Sequence, residues 1–203
     1  MIKNRQQKRA QKTRQKIKEA ALDVFAEKSI DAATVEDITE KADLGKGTLY
    51  HHFGDKEEII ITLVEDAVTH LIEYLHPSRQ APETLEDMLE LLLDAHYRFL
   101  QESSEEFLLL FQGRVMVKLQ SDHLGELEEP YLRYLKEIEE QVSKYLPPKV
   151  SPLKIRRIAC AVAGFVFGFL SFAMIGMNPG QIDGSIAPLR QVFVKGLSEF
   201  LGK

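Results

Sequence analysis

The ten residues Leu44-Gly45-Lys46-Gly47-Thr48-Leu49-Tyr50-His51-His52-Phe53 gather a lysine, two glycines, a threonine, a tyrosine and two adjacent histidines. Three chemistries use such a set: cradling a nucleotide phosphate, ligating a metal, or touching the phosphates and base edges of DNA. A nucleotide loop places four residues between its first glycine and a Gly-Lys-Ser/Thr triplet and follows a strand, whereas Gly45-Lys46-Gly47-Thr48 follows a helical pattern. Adjacent histidines project about 100° apart on a helix and miss the i, i+4 spacing of a metal-binding pair. The set suits DNA better. Lys46 brings charge, Thr48 and Tyr50 bring hydroxyls, His51 donates from a ring nitrogen, and Gly47 has no side chain to hold a helix away from a groove.

Presenting these groups requires a helix with a buried side. At about 100° per residue, Leu49 and Phe53 share one side while Gly47, Thr48, Tyr50 and His51 spread around the other. Leu44 plugs the turn to the preceding helix, which gives a helix-turn-helix. Upstream, Ile17, Ala20, Ala21, Val24 and Phe25 follow the spacing of a first helix, and the Thr34 hydroxyl caps a second ahead of Val35, Ile38 and Ala42. Downstream, Gly54 breaks the chain and Asp55-Lys-Glu-Glu58 has capping-box spacing. It opens a helix with Ile59, Leu63, Ala67, His70 and Tyr74 on one side, ended by His76-Pro77. Lys56 and the helix start at Thr34 each lie where a phosphate can be held.

The rest of the chain continues helically. Segments are expected near 82–101 (Leu85, Met88, Leu89, Leu92, His96, Phe99), near 105–120, and up to Leu146 with Tyr131, Leu135, Ile138, Val142 and Tyr145 on one face. Ser151-Pro152 starts a long helix to about Gly176, and Asn178-Pro179-Gly180 turns into a last helix bearing Leu189, Phe193, Leu197 and Phe200. No alternating run asks to be a strand, so the fold class is all-α.

Composition is compatible with this. The 203 residues are 44% hydrophobic, with twelve glycines and eight prolines. The single cysteine, Cys160, excludes an intramolecular disulfide framework and is expected as a small buried hydrophobe. The first twenty residues are too basic for a secretory signal, so a cytoplasmic location is expected. The net charge of −5 hides an asymmetry. Residues 1–56 hold twelve basic against nine acidic side chains, and residues 1–18 hold eight basic side chains and no acid.

Together, Thr34-Val-Glu-Asp-Ile38, Ala42, Lys46-Gly-Thr-Leu-Tyr-His-His-Phe53 and Asp55-Lys-Glu-Glu58 resemble the DNA-binding domain of the TetR family of bacterial transcriptional regulators, over roughly residues 10–60. The resemblance implies an all-helical homodimer whose three-helix head (residues 1–56, with its basic N-terminal arm) binds double-stranded DNA at a palindromic operator. It also implies a second helical domain (57–203) that binds a small molecule and releases the DNA, most often as a repressor. Thr34, Lys46, Thr48, Tyr50, His51 and Lys56 fall where the family's DNA contacts come from. Two positions depart from the pattern. Asp43 stands where glycine is common, and Gly45 stands where a serine or threonine cap is common.

Two further stretches have competing readings. Ile158 to Met177 runs twenty residues without a charge and contains Gly164-Phe-Val-Phe-Gly168, so it has the length of a membrane span. A following amphipathic helix and the resemblance favour a dimer core and no membrane. His70, Tyr74, His96, Phe99, Phe107, Phe111, Met116, Tyr131, Tyr134, Phe165 and Phe169 are candidates for a ligand cavity, although aromatics at helical spacing also make plain core. Three functions are compatible: a ligand-responsive regulator, an architectural DNA-binding protein, and an enzyme on a helical bundle. The enzyme reading lacks a nucleophile-base pair, metal-ligand spacing or cofactor loop, so no cofactor is expected.

Overall fold

A computed structural model describes residues 2–76, 81–119, 124–176 and 179–201. Pro77, Met177, Asn178 and the side chain of Met116 lie outside the described residues. Among the described residues every regular element is helical: α1 (Ile2–Lys28), α2 (Val35–Lys41), α3 (Lys46–His52), α4 (Lys56–Leu75), α5 (Leu85–Glu102), α6 (Ser104–Leu119), α7 (Glu128–Ser143), α8 (Pro152–Gly176) and α9 (Pro179–Leu201). A 3-10 turn, Leu124–Leu127, precedes α7.

The chain forms two compact units, Met1–Val68 with Ser103–Pro130, and Thr69–Glu102 with Tyr131–Lys203. In the first, Ile17, Ala21, Val24 and Phe25 of α1 are buried with Ile38, Leu49, Phe53, Ile59 and Ile60. The caps set the helix starts. Thr34 Oγ1 accepts from the Asp37 N–H at 3.2 Å and the Asp37 carboxylate accepts from the Thr34 N–H at 3.0 Å, a reciprocal capping box. Lys28 ties α1 to the same carboxylate at 2.7 Å. Its hydrogen bond, followed by those from Thr34, lowers the Asp37 carboxyl to about 2. At α4, Asp55 accepts from the Glu58 N–H at 2.8 Å, and Glu58 reaches back to the Gly54 N–H at 2.7 Å. Helix α6 also packs on α1 in this unit, where Gln112 Oε1 accepts from the Ile30 N–H at 2.8 Å.

In the second unit α5 buries Met88, Leu89, Leu92, Leu93, Ala95, His96 and Phe99, and packs on α8 and α9. From α8 come Ile158, Ala159, Val162, Val166, Phe167 and Leu170. The Ser151 hydroxyl caps α8 by accepting from the Lys154 N–H at 3.3 Å. On α7 the buried positions are Tyr134, Ile138, Gln141 and Val142. Tyr131, Leu135 and Tyr145, expected on the core face, are half-buried.

The last two helices leave apolar surface uncovered. Leu153, Cys160, Gly164 and Phe172 of α8 are exposed, Phe172 to 76%, as are Leu189, Val192 and Phe200 of α9. Cys160 is therefore exposed in the single chain rather than buried as expected, because the α8 stripe it shares with Gly164 faces no other element. Pro152–Ala173 is long and apolar enough to cross a membrane, and a third of its most apolar window is buried within the chain.

His96 is the one fully buried ring with a titratable nitrogen among the described residues. Its Nδ1–H donates to the Leu92 carbonyl at 2.5 Å, so Nε2, at 2.7 Å from Tyr134 Oη, accepts from the phenol. Burial pushes the imidazole down to about 4, partly offset by the Leu92 bond. The folded ring is thus neutral where the unfolded one, near 6.5, is charged. The stability this confers is complete above pH 6.5 and is lost as pH falls toward 4. The loss amounts to about 3 kcal/mol, which urea denaturation at pH 7.5 and 4 measures. His96→Gln should lack this component of the acid sensitivity.

Candidate nucleic-acid interface

The turn before α3 is built from backbone. Asp43 adopts φ 47°, the left-handed conformation that aspartate tolerates. The Asp43 N–H donates to Glu40 O at 3.0 Å and the Leu44 N–H to Thr39 O at 2.9 Å, which ends α2. Gly45 is the cap of α3 with extended backbone, and its carbonyl accepts from the Thr48 N–H at 2.9 Å and the Leu49 N–H at 3.3 Å. Neither departure at 43 or 45 disturbs the motif.

Burial then sorts α3 by face. Leu49 and Phe53 are 0% and 1% exposed, while Tyr50 is 53% exposed. Lys46, Gly47 and His51 are also exposed and Thr48 is half-buried. A Cβ at Gly47 would meet nothing within 4 Å, so the fold places no demand for glycine there. Gly47→Ala should raise the stability of the head by up to about 1 kcal/mol through helix propensity. If DNA approaches this backbone closely, the same change weakens operator binding; thermal melting and a binding titration report the two effects separately.

The cations are engaged in the free protein. Lys46 pairs with Glu36, whose carboxyl is lowered chiefly by that hydrogen bond. Both side chains are about half exposed, so the pair is weak and exchangeable for a phosphate. Lys56 Nζ donates to the Ile30 carbonyl at 3.1 Å and the Ala33 carbonyl at 3.0 Å. It ties the α1–α2 connection to the start of α4, and one of its three protons remains for a phosphate. Thr34 is exposed, and its capping bond leaves the hydroxyl proton to donate.

Arg14 belongs to this site although its place in the basic N-terminal run suggested a DNA contact. Its guanidinium lies 3.9 Å over the Phe53 ring. Nη1 donates to the His52 carbonyl at 2.6 Å, and Nη2 approaches Thr62 Oγ1 at 3.4 Å and Glu58 at 3.8 Å. Arg14 therefore fixes the C-terminal end of α3 against α1 and α4, which the sequence does not reveal because the partners lie 38 to 48 residues away. Its charge, with that of His51, also lowers the His52 imidazole behind the larger effect of burial. Arg14→Gln should weaken operator binding about tenfold while leaving the salt dependence unchanged, because it misplaces α3 without removing a phosphate contact. A fall in slope would make Arg14 a phosphate ligand instead.

The candidate ligand residues fall into separate clusters. His70, Tyr74 and Phe99 stack edge to face with centroids 5.3 to 5.6 Å apart, and the Tyr74 hydroxyl donates to Glu102 at 2.6 Å. His96 meets Tyr134, which meets Phe167. Phe165 stacks on Phe169 at 5.9 Å and on Phe193 of α9 at 4.3 Å. Tyr131 is half-buried, and Phe111, half-buried under Arg114, belongs to the first compact unit. A groove of about 420 Å³ between α5 and α9 is lined by Glu86, Glu90, Gln191, Val192, Val194 and Lys195, none of them among the expected residues.

A capped helix, a tight turn and a short second helix with buried Leu49 and exposed Tyr50 define a helix-turn-helix regulator. The family model of bacterial regulatory proteins, tetR family, matches residues 17–63, and the chain belongs to the TetR family of helix-turn-helix transcriptional regulators, a family of regulators rather than enzymes. It is 28% identical over 128 residues to the uncharacterized HTH-type transcriptional regulator YvdT of Bacillus subtilis, covering 61% of this chain and 63% of YvdT. The biofilm operon icaADBC negative transcriptional regulator IcaR of Staphylococcus epidermidis is 27% identical over 96 residues, 47% of this chain and 50% of IcaR. The chain thus spans between half and two thirds of these two relatives. The transcriptional regulator FadR from Bacillus subtilis, solved in complex with stearoyl-CoA, superposes with a TM-score of 0.69 at 20% identity over 90% of this chain and 96% of FadR, which shows a shared fold.

Proposed function

We propose that the protein is a ligand-responsive transcriptional repressor in the cytoplasm. It binds a palindromic operator as a homodimer and is released by a small molecule. The observation that carries this reading is the face of α3, where Tyr50, Gly47, His51 and Lys46 are exposed over a buried Leu49. Residues 1–56 act as the reading head, with Thr34, Thr48 and Lys56 adding phosphate contacts, and residues 57–203 sense and dimerise. Repression is supported by the negative regulator IcaR among the relatives. Ligand response is supported by the FadR complex, whose stearoyl-CoA makes a long amphipathic acyl compound the first class to test. Dimerisation rather than membrane insertion is supported by Lys154, Arg156 and Arg157 in the first turns of α8 and by the amphipathic α9 beside it. Selection of fragments from a random DNA pool by the purified protein, with and without acyl-CoA compounds, tests the reading. A shared inverted repeat released by one compound is expected, and enrichment of no common sequence would overturn it.

A further inference from the structure

We infer that the basic face of α1 is a second DNA-contacting surface, which meets the phosphate backbone flanking the base pairs that α3 reads. The inference rests on the DNA-binding reading above and extends it to residues outside the helix-turn-helix, since the family match begins only at residue 17. Helix α1 is continuous from Ile2, so the N-terminal basic run is a helix rather than a loose arm. Helical geometry then puts Arg5, Lys8, Arg9, Lys12 and Lys16 on one stripe about 100° wide and about 16 Å long.

Neutralisation separates these five from the other cations. Arg14, Lys18, Lys28, Lys41 and Lys46 each meet a carboxylate. Arg5, Lys8, Arg9, Lys12 and Lys16 are exposed, and among the described residues they have no ion-pair partner. The same face turns acidic at Glu19, Asp23 and Glu27, the last two of which meet Lys41. Unneutralised charge is therefore confined to the stretch before residue 17.

That stretch also lacks support from the rest of the chain. Residues 5–12 are exposed on every side, and the first turn carries no acid to complement the helix dipole. Cations at the positive end of a short unpacked helix destabilise it, and a row of phosphates offsets that repulsion. The opposite face carries Gln6, Gln7 and Gln11 instead of large apolar groups, so the helix is not built to insert into a lipid surface. Arg14 anchors α1 beside the end of α3, so the extension leaves the head at the edge of the reading face. Its stripe lies on the side of α1 away from Arg14, which directs it outward to flanking phosphates.

The test uses the full chain and a duplex selected by it from a random pool, either with about ten extra base pairs on each side or trimmed to the repeat. Lys8→Gln/Arg9→Gln/Lys12→Gln removes three charges from an exposed face with a good helix former. On the flanked duplex the slope of log K against log salt should fall by about 2 to 3 per protomer, at about 0.9 per phosphate. On the trimmed duplex wild type and variant should agree. An unchanged slope on the flanked duplex overturns the inference, as does a fall that persists on trimmed DNA. Loss of binding to phosphatidylserine vesicles with no change on DNA would assign the stripe to a membrane surface instead. If the wild type enriches no common sequence, the repressor reading fails separately, and the slopes on unselected DNA with long and short duplexes still decide the stripe.

Discussion

Tyr50→Ala is expected to lower operator affinity by about 10²- to 10⁴-fold without unfolding the protein. A contact at the DNA surface is worth about 1 to 3 kcal/mol, and a homodimer on a palindrome loses it twice. Because Tyr50 is 53% exposed, truncating it leaves no cavity and should move the melting temperature little. One position earlier the outcome inverts. Leu49 is fully buried between α1, α2 and α3, so Leu49→Ala should cost about 2 to 5 kcal/mol of stability. DNA titration and thermal melting of the two variants side by side test the helix phase. A Tyr50→Ala protein that melts like Leu49→Ala, or binds its operator normally, would remove α3 from the interface.

Gly168→Glu should convert a dimer to monomers and abolish operator binding with the head untouched. The exposed stripe of α8 contains Cys160 and Gly164, with Gly168 half-exposed and Phe172 at its far end. A Cβ at Gly164 or Gly168 would meet nothing within 4 Å of this chain, so packing within the protomer does not require glycine at either place. Glycine inside a helix costs about 1 kcal/mol relative to alanine, and a surface that must approach closely supplies a reason to keep it. A second copy is that surface, given the apolar residues α9 exposes alongside. Placing an unpaired carboxylate there costs several kcal/mol per protomer on association. Sedimentation should show a dimer for the wild type and monomer for the variant. A thiol reagent should reach Cys160 slowly in the first and quickly in the second. A Gly168→Glu protein that still sediments as a dimer and binds DNA would refute the α8 interface.

The local features of the head were legible because they depend on neighbours in sequence. Thr34 capping α2, Asp55 capping α4, the left-handed Asp43 and the inward pair Leu49 and Phe53 are each set within about four residues, where helical geometry leaves few choices. Helix starts at Pro152 and Lys56 were readable for the same reason. The phase of α7 was not. Tyr131 and Tyr134 are both aromatic, and only packing with α5 and α8 made Tyr134, through His96 and Phe167, the buried one.

Charge shows the same division more sharply. By composition, eight basic side chains in residues 1–18 are equivalent, and the sequence alone determined that this end of an acidic chain is cationic and helical. Tertiary structure decided which of them is available. It folded Arg14 onto Phe53 and the His52 carbonyl, gave Lys18 to Asp66, and left Arg5, Lys8, Arg9, Lys12 and Lys16 in solvent. It likewise committed Lys56 to the Ile30 and Ala33 carbonyls and drew α6 onto α1 through Gln112. A side chain's identity states which bonds it is able to make, whereas the partner is chosen by residues tens of positions away that the fold brings within 3 Å, and no local pattern encodes that distance.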